Sequence, residues 1–503
     1  MTKLLREPSL RSEASETLDP NDWEALRAQG HRMLDDVFDF IAGVRDRPVW
    51  QPAPDAVRAR FRTALPHKPS ELGSVYREFA DSVAPYATGN VHPGFMGWVH
   101  GGGTAVGVLA DMLAAGLNAN LGGRDHMPIE VERQVVEWVR EMFGFPAGAS
   151  GLFVTGTSMA NLMAVLVART AVLGSSARRH GNGHQGALLT AYTSRAAHGC
   201  ISKAMDIAGL GSDGLRMIGV DDAHRIDVAA LRRQIACDRE AGLQPFLVVG
   251  SAGTVDIGAI DDLMALSTLC REEGLWFHVD GAYGALGILS PVIAPQLAGI
   301  ENADSVALDF HKWGQVPYDA GFLLVREGER HREAFAAPAA YLRRETRGLA
   351  AGSVWPCDLG PDLSRGFRAL KTWFTLKTFG TEKLGAVITR TCALAGYLEA
   401  RILAEPRLEL LAPVNLNIVC FRYRADDANR VNRDIVIDIQ ESGIAAPSTT
   451  VLDGALAIRA AIVNHRTDTC DIDALIAAVL EFGGQRASSA AVVDIAASPS
   501  LAV

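Results

Sequence analysis

Residues 305–325 read SVALDFHKWGQVPYDAGFLLV, two short apolar runs on either side of a polar turn that carries Lys312 between His311 and Trp313. A lysine is costly to bury unless it is paired or neutralised. Two readings follow. One is a lysine on a surface turn. The other is a lysine held at a strand end, where its amine is suited to Schiff-base chemistry with a carbonyl.

The surrounding sequence supports an α/β layer structure. GALLTAY (186–192), PFLVVGSA (245–252), LWFHVD (275–280) and GFLLV (321–325) have the length and branching of buried strands. They alternate with helical patterns such as SMANLMAVLVARTAVL (158–173) and IDDLMALSTLCREEG (260–274). Alternation of this kind predicts a mostly parallel sheet whose ligand sits at the carboxyl ends of the strands.

Outside this block the pattern changes. DPNDWEALRAQGHRMLDDVFDFIAGV (19–44) begins with a capping signal and carries Leu26, Met33, Leu34, Val37, Phe38 and Ile41 on one helical stripe. With the proline-bearing connector after it, residues 1–85 read as a helical arm that needs a partner subunit to cover it. Residues 86–375 form the large domain. A long helical stretch from 364 leads into a smaller domain over 376–485, with strands at LNIVCFRYR (416–424) and LAIRAAIV (456–463). The Ala/Ser-rich tail, 486–503, is expected to be disordered.

Composition excludes several classes. The net charge of −10, without a basic stripe, disfavours a nucleic-acid surface. The seven cysteines form no CxxC pair and no metal-ligand spacing, which suits a reduced compartment and predicts no metal site. The first residues lack a sustained apolar run, and no apolar stretch is long enough to span a membrane. A cytoplasmic protein is the expectation.

Four strand-end signals carry the chemistry. VTGTSMANLMAVL (154–166) is a strand, a Gly-Thr-Ser turn and a helix start. Its free N–H groups suit a phosphate, although an ordinary N-cap by Thr157 or Ser158 fits as well. The Walker lysine is missing, so a nucleoside triphosphate is not indicated. SRAAHGCISKAMD (194–206) places His198 before a helix, and FHVDGAYGA (277–285) places Asp280 after a strand, where a carboxylate needs a cationic partner. LDFHKW supplies Lys312. A phosphate site, a flat residue to stack on a ring, a carboxylate for a pyridinium nitrogen and a lysine for an aldehyde together describe a site for pyridoxal 5'-phosphate.

On the HVDGAYG and HKW motifs, the chain resembles the group II pyridoxal-phosphate-dependent decarboxylases, and is similar to the aromatic-L-amino-acid decarboxylases. The likeness runs from NVHPGFMGWVHGGG (90–103) to IVNHRTD (462–468). It implies fold type I: a large domain on a mostly parallel seven-stranded sheet, a smaller α+β C-terminal domain and an N-terminal helical arm. It also implies a homodimer whose active site is shared between subunits. By resemblance, Lys312 is the Schiff-base lysine, His198 stacks on the cofactor ring and Asp280 pairs with the ring nitrogen. Thr157, Ser158, Asp309 and His311 take phosphate-side positions, Ala282 lies beneath the ring, and Thr254 lies near the ring oxygen or Asp280. The implied reaction converts an L-amino acid to its amine and carbon dioxide through an external aldimine.

Two departures stand out. Relatives carry a loop tyrosine that returns a proton to the α-carbon, but GSVWPCDLG (352–360) puts Trp355 and Pro356 at or beside its place. Tyr341 aligns with an earlier loop tyrosine, and His100, His126 and His198 are the alternative acids. Loss of the tyrosine makes an aldehyde synthase, acting by oxidative decarboxylation and deamination, the second reading. The third and fourth readings are a cofactor-binding scaffold and an aminotransferase. The other departure is in the substrate pocket. There His92, Trp98 and His100, with Asn118, Asn120, Arg124, Asp125 and His126, suggest a more polar substrate than dopa or tryptophan.

Overall fold

The computed structural model describes residues 17–336, 344–352 and 354–497. Twelve strands form two sheets among these residues: β1 (Phe95–Met96), β2 (Ser150–Val154), β3 (Leu189–Ser194), β4 (Leu215–Ile218), β5 (Gln244–Ser251), β6 (Trp276–Asp280), β7 (Ser305–Asp309), β8 (Gly321–Val325), β9 (Leu408–Leu410), β10 (Ile418–Tyr423), β11 (Ala446–Leu452) and β12 (Ala455–Ala461). The large sheet has seven strands in the order β2-β8-β7-β6-β5-β3-β4. Pairings from β4 through β7 are parallel, whereas β8 runs antiparallel to both β7 and β2. The fold is the α/β type I architecture expected from the sequence.

The turn between the two apolar runs explains the reversed strand. Asp309 pairs with Gly321, and residues 310–320 contain no crossover helix. A parallel return needs a connection of a dozen or more residues, usually helical, so the chain comes back antiparallel. The lysine turn is therefore held on both sides by the sheet. The carboxyl ends of β2, β5, β6 and β7 and the start of β8 meet at one edge, where α/β sheets bind their ligands.

The second sheet has the order β1-β11-β12-β10-β9. Its edge strand comes from far upstream: Phe95 and Met96 pair in parallel with Ala446 and Pro447. Asn464 fastens the same segment, donating to the carbonyls of Asn90, Val91 and His92 at 2.9, 3.1 and 3.2 Å. The helix Arg368–Ala404 connects the large and small sheets and breaks at Gly380, whose φ of 72° favours glycine. The last helix, Thr469–Ala497, continues past residue 486, where a tail was expected. Its ASSAAVVDIAA segment is rich in alanine, the residue with the strongest helix propensity. Among the described residues no helix is long and apolar enough to cross a membrane.

Candidate active site

The edge where the strands meet opens into a cavity of 410 Å³ lined by Thr157, Ser158, His198, Thr254, Asp280, Ala282, Asp309, His311 and Lys312, with Trp98, His100, Cys200, Tyr283 and Tyr318 among its other walls. Residues far apart in the chain thus face one space.

Asp309, at the end of β7, organises one side. Its Oδ1 accepts from the Thr157 N–H at 2.8 Å, and its Oδ2 lies 3.0 Å from Lys312 Nζ and 3.6 Å from His311 Nε2. Gly156, not Thr157 or Ser158, is the N-cap of the helix Thr157–Leu173, and it provides no side-chain cap. Thr157 is left with a buried Oγ1 that has no protein partner. That orphaned hydroxyl, at the positive end of a helix, is a fitting for an anion. The Asp309 carboxylate accepts hydrogen bonds only, so it holds the helix start and the lysine rather than ligating an anion. His311 Nδ1 accepts from the Ala320 N–H at 3.0 Å, and its ring packs 4.3 Å from that of Tyr318.

Asp280 closes the other side. The residue is 6% exposed, and burial pushes its carboxyl up while the Lys312 ammonium pulls it back. Its Oδ2 accepts from Asn161 Nδ2 at 3.0 Å, and its Oδ1 from the Ala282 N–H at 3.2 Å. His198 is exposed at the cavity, and its Nδ1 accepts from the Cys200 N–H at 3.2 Å. Thr254 Oγ1 accepts from the Ala259 N–H at 3.0 Å, which leaves its own proton available to the cavity.

The mouth is aromatic. His100, Phe95 and Trp98 form a triangle of rings, the His100 centre 5.6 Å from Phe95 and 5.9 Å from Trp98 and those two 6.2 Å apart, and His100 meets Tyr318 edge-on at 5.8 Å. Trp98 is exposed and has φ of 48°, an unusual backbone for a bulky residue. Arg459 of β12 supports it, donating to the Trp98 carbonyl at 2.9 Å and to the Asp256 carbonyl at 3.0 Å.

Several expected pocket residues lie elsewhere. His92 does not line the cavity; its buried Nδ1 accepts from the Gly94 N–H at 2.9 Å. Asn120 Oδ1 accepts from the N–H groups of Gly122 and Arg365, and His126 Nε2 lies 3.3 Å from the carbonyls of Asn120 and Gly123. Arg124 lies over Trp355. Asn118, Asp125 and His126 are also absent from the cavity wall, so of the expected pocket residues Trp98 and His100 line this cavity. Trp355 is 1% exposed, has the guanidinium groups of Arg124 and Arg344 over its ring at 4.6 and 4.8 Å, and donates through Nε1 to the Ala351 carbonyl at 3.0 Å. Tyr341 lies outside the described residues.

Sequence reasoning missed Tyr318, Asn161 and His278. Tyr318 sits in the VPYD turn just after the lysine, and its phenol is pushed up chiefly by burial. Asn161 falls one helical turn after Thr157, and His278 two residues before Asp280. Those spacings put each on the same face as a residue already singled out. Among the described residues no group of side chains could hold a metal ion.

The pyridoxal-dependent decarboxylase conserved domain matches residues 54–424. The chain is 35% identical to an aromatic-L-amino-acid decarboxylase of Bacillus atrophaeus, over 89% of this chain and 93% of that one. It is 28% identical to a phenylacetaldehyde synthase of Arabidopsis thaliana, over 89% and 94% of the two chains. Its fold superposes on the Oryza sativa TDC solved with PLP and tryptamine with a TM-score of 0.86 at 24% identity, covering 94% of this chain and all of that one (100%).

Proposed function

The chain belongs to the pyridoxal-dependent decarboxylase family, and on that premise we propose that it removes the carboxyl group of an L-amino acid to leave the amine. One observation carries the reading: a lysine amine, a buried carboxylate and an orphaned hydroxyl at a helix start face the same 410 Å³ cavity. These residues fit pyridoxal 5'-phosphate. Thr157 and Ser158 would take its phosphate with the helix N-terminus, Asp280 its ring nitrogen, and His198 and Ala282 the two faces of the ring. Thr254 would offer a hydroxyl proton at the ring edge, and His311 would close the phosphate side.

When bound, this cofactor supplies an aldehyde for an amine and a ring that accepts the electron pair left as carbon dioxide departs. The protein's part is positional. Lys312 is the amine presented to the aldehyde, held by Asp309 at 3.0 Å. Asp280 favours a protonated ring nitrogen, because a buried carboxylate is better satisfied beside a cation. Tyr318 keeps its phenolic proton at the cavity, because burial disfavours the phenolate. It is the acid for the α-carbon that the loop lacks at Trp355. His100 is less suited, since burial and the Lys312 charge hold its imidazole neutral.

We propose a flat, aromatic substrate side chain, which the Trp98–His100 stack and Tyr318 would receive. The second reading, an aldehyde synthase, is favoured by Trp355, whose indole is a very weak acid and is anchored away from the cavity. The two products differ in stoichiometry. Purified protein given a panel of aromatic and acidic L-amino acids should release carbon dioxide and amine without oxygen uptake. Aldehyde, ammonia and peroxide with one oxygen consumed per turnover would establish the second reading, and turnover of acidic substrates alone would refute the aromatic pocket.

We also propose a cytoplasmic homodimer. No residue of the helix Trp23–Ala42 is buried, and its stripe of Leu26, Met33, Leu34, Val37, Phe38 and Ile41 is only half-covered. Beside it, Leu72, Val75 and Phe79 remain 44, 50 and 48% exposed, and Met112 and Leu117 of the helix Ala105–Leu117 are 50 and 63% exposed. A second copy is the occupant that the family resemblance implies.

A further inference from the structure

Behind Asp280, away from the cavity, runs a continuous line of buried polar side chains that the reaction above does not use. Trp276 Nε1 donates to Ser305 Oγ at 2.9 Å, and Ser305 Oγ lies 2.8 Å from His278 Nδ1. His278 Nε2 lies 2.8 Å from Asn161 Oδ1, and Asn161 Nδ2 donates to Asp280 Oδ2 at 3.0 Å. His278, Asn161 and Ser305 are each 0% exposed.

The ends of the line set its direction. An indole N–H only donates, and an ionised carboxylate only accepts. Asn161 therefore turns its amide nitrogen to Asp280 and its oxygen to His278. His278 then carries its proton on Nε2, and its Nδ1 accepts from the Ser305 hydroxyl at 2.8 Å in preference to donating to the Ser305 carbonyl, which lies farther off at 3.2 Å. Ser305 in turn accepts from Trp276. Each group has one role, and the roles agree from end to end. Burial also holds the imidazole neutral, its pKa lowered to about 3, so it does not fill both positions as a donor. The charged and titratable groups around His278 and Asp280 are Lys312, His198, Asp309 and Cys200, all on the cavity side.

We propose that Asn161 and His278 are positioning residues for the cofactor's ring nitrogen. Their one-way hydrogen-bond chain orients Asp280 and keeps it ionised against the pull of burial. A proton on Oδ2 would turn a donor toward the Asn161 amide and break the order of the chain, so the chain favours an unprotonated Oδ2. With Oδ2 engaged by Asn161, Oδ1 has one backbone donor from Ala282 and capacity for another. The inference rests on the proposed pairing of Asp280 with the ring nitrogen, and extends it to residues that do not touch the cofactor.

The test compares His278→Leu and Asn161→Leu with His278→Gln, whose amide can still donate to Asn161. Three quantities are read: the dissociation constant for pyridoxal phosphate, the pH dependence of the bound cofactor's visible band, and the thermal midpoint without cofactor. The leucine variants should bind cofactor roughly tenfold to a hundredfold more weakly, the range of a hydrogen bond to a charged group. Their visible band should change with pH where the parent's is constant, and His278→Gln should restore both. Parent-like binding and spectra in His278→Leu would overturn the proposal, as would a glutamine variant no better than leucine. Nitrogen-15 NMR of histidine-labelled parent protein gives a readout that survives a variant's failure to fold. His278 should be neutral with its proton on Nε2 at pH 7, and an Nδ1–H tautomer or an imidazolium would refute the chain. Asp280→Ala separates the two layers: if that variant binds cofactor normally, the pairing itself is wrong, whatever His278 does.

Discussion

At the scale of the residue, the proposed chemistry falls to Lys312 and Tyr318. Lys312 is the turn residue whose amine faces the cavity beside Asp309. Lys312→Ala is expected to abolish the visible band of the purified protein and reduce turnover by several orders of magnitude, and borohydride reduction of the parent should label Lys312. A label on another lysine would contradict the assignment. In the proposed reaction, Tyr318 is the acid that replaces an expected one. Proton return to carbon by a positioned side chain is worth roughly 10²–10⁴-fold. Tyr318→Phe should lose amine formation by that order while carbon dioxide release falls less, with oxygen uptake appearing in the difference. Unchanged amine yield in Tyr318→Phe would leave His198 as the acid.

At the scale of the element, close approaches of backbone shape the site. Gly321 opens β8 directly beside Gly156, and a Cβ on it would lie 2.4 Å from Gly156 Cα, where no flexible side chain can give way. Gly321→Ala is expected to displace the start of the helix Thr157–Leu173, at about 1–3 kcal/mol of stability for an overpacked site. Cofactor affinity should fall with it, since that helix start is the proposed seat of the phosphate. A lowered thermal midpoint with normal affinity would separate the helix start from the phosphate. The elements also explain one partial reading. The segment 86–375 was expected to form the large domain, yet Phe95 and Met96 add an edge strand to the small sheet. A two-residue strand has no periodicity to read, so only its partner Ala446–Pro447 reveals it.

For the whole molecule, two bulk properties are expected. His278 and His331 are both fully buried, and burial lowers their pKa values to about 3 and about 4. A free histidine takes its proton near pH 6.5, so below that the unfolded chain binds more protons than the folded one. Their stabilisation is present above pH 6.5 and is lost as pH falls toward 4, at about 1.4 kcal/mol per pH unit for each group. Denaturant titrations between pH 7 and 4.5 check this, and the loss should shrink when His331 is replaced by glutamine. The exposed apolar faces of the helices Trp23–Ala42, Leu72–Ser82 and Ala105–Leu117 make the other expectation, a dimer by light scattering at micromolar concentration. A fully active monomer would refute it.

Much of this protein was legible from residues 278–284 and 309–313. A carboxylate after one apolar strand and a lysine after another are costly where they stand, so each announces a ligand. The alternation of strands and helices, set by periodicity along the chain, determined the α/β class in the same local way. The reversed strand, the orphaned Thr157 hydroxyl and the line from Trp276 to Asp280 were decided only in three dimensions. Whether His92 or Tyr318 meets the substrate, and whether Trp355 is an acid's replacement or a buried anchor, depends on which side chains the sheet edge turns toward the cavity. Distances between residues hundreds of positions apart are set by packing, and no spacing along the chain encodes them.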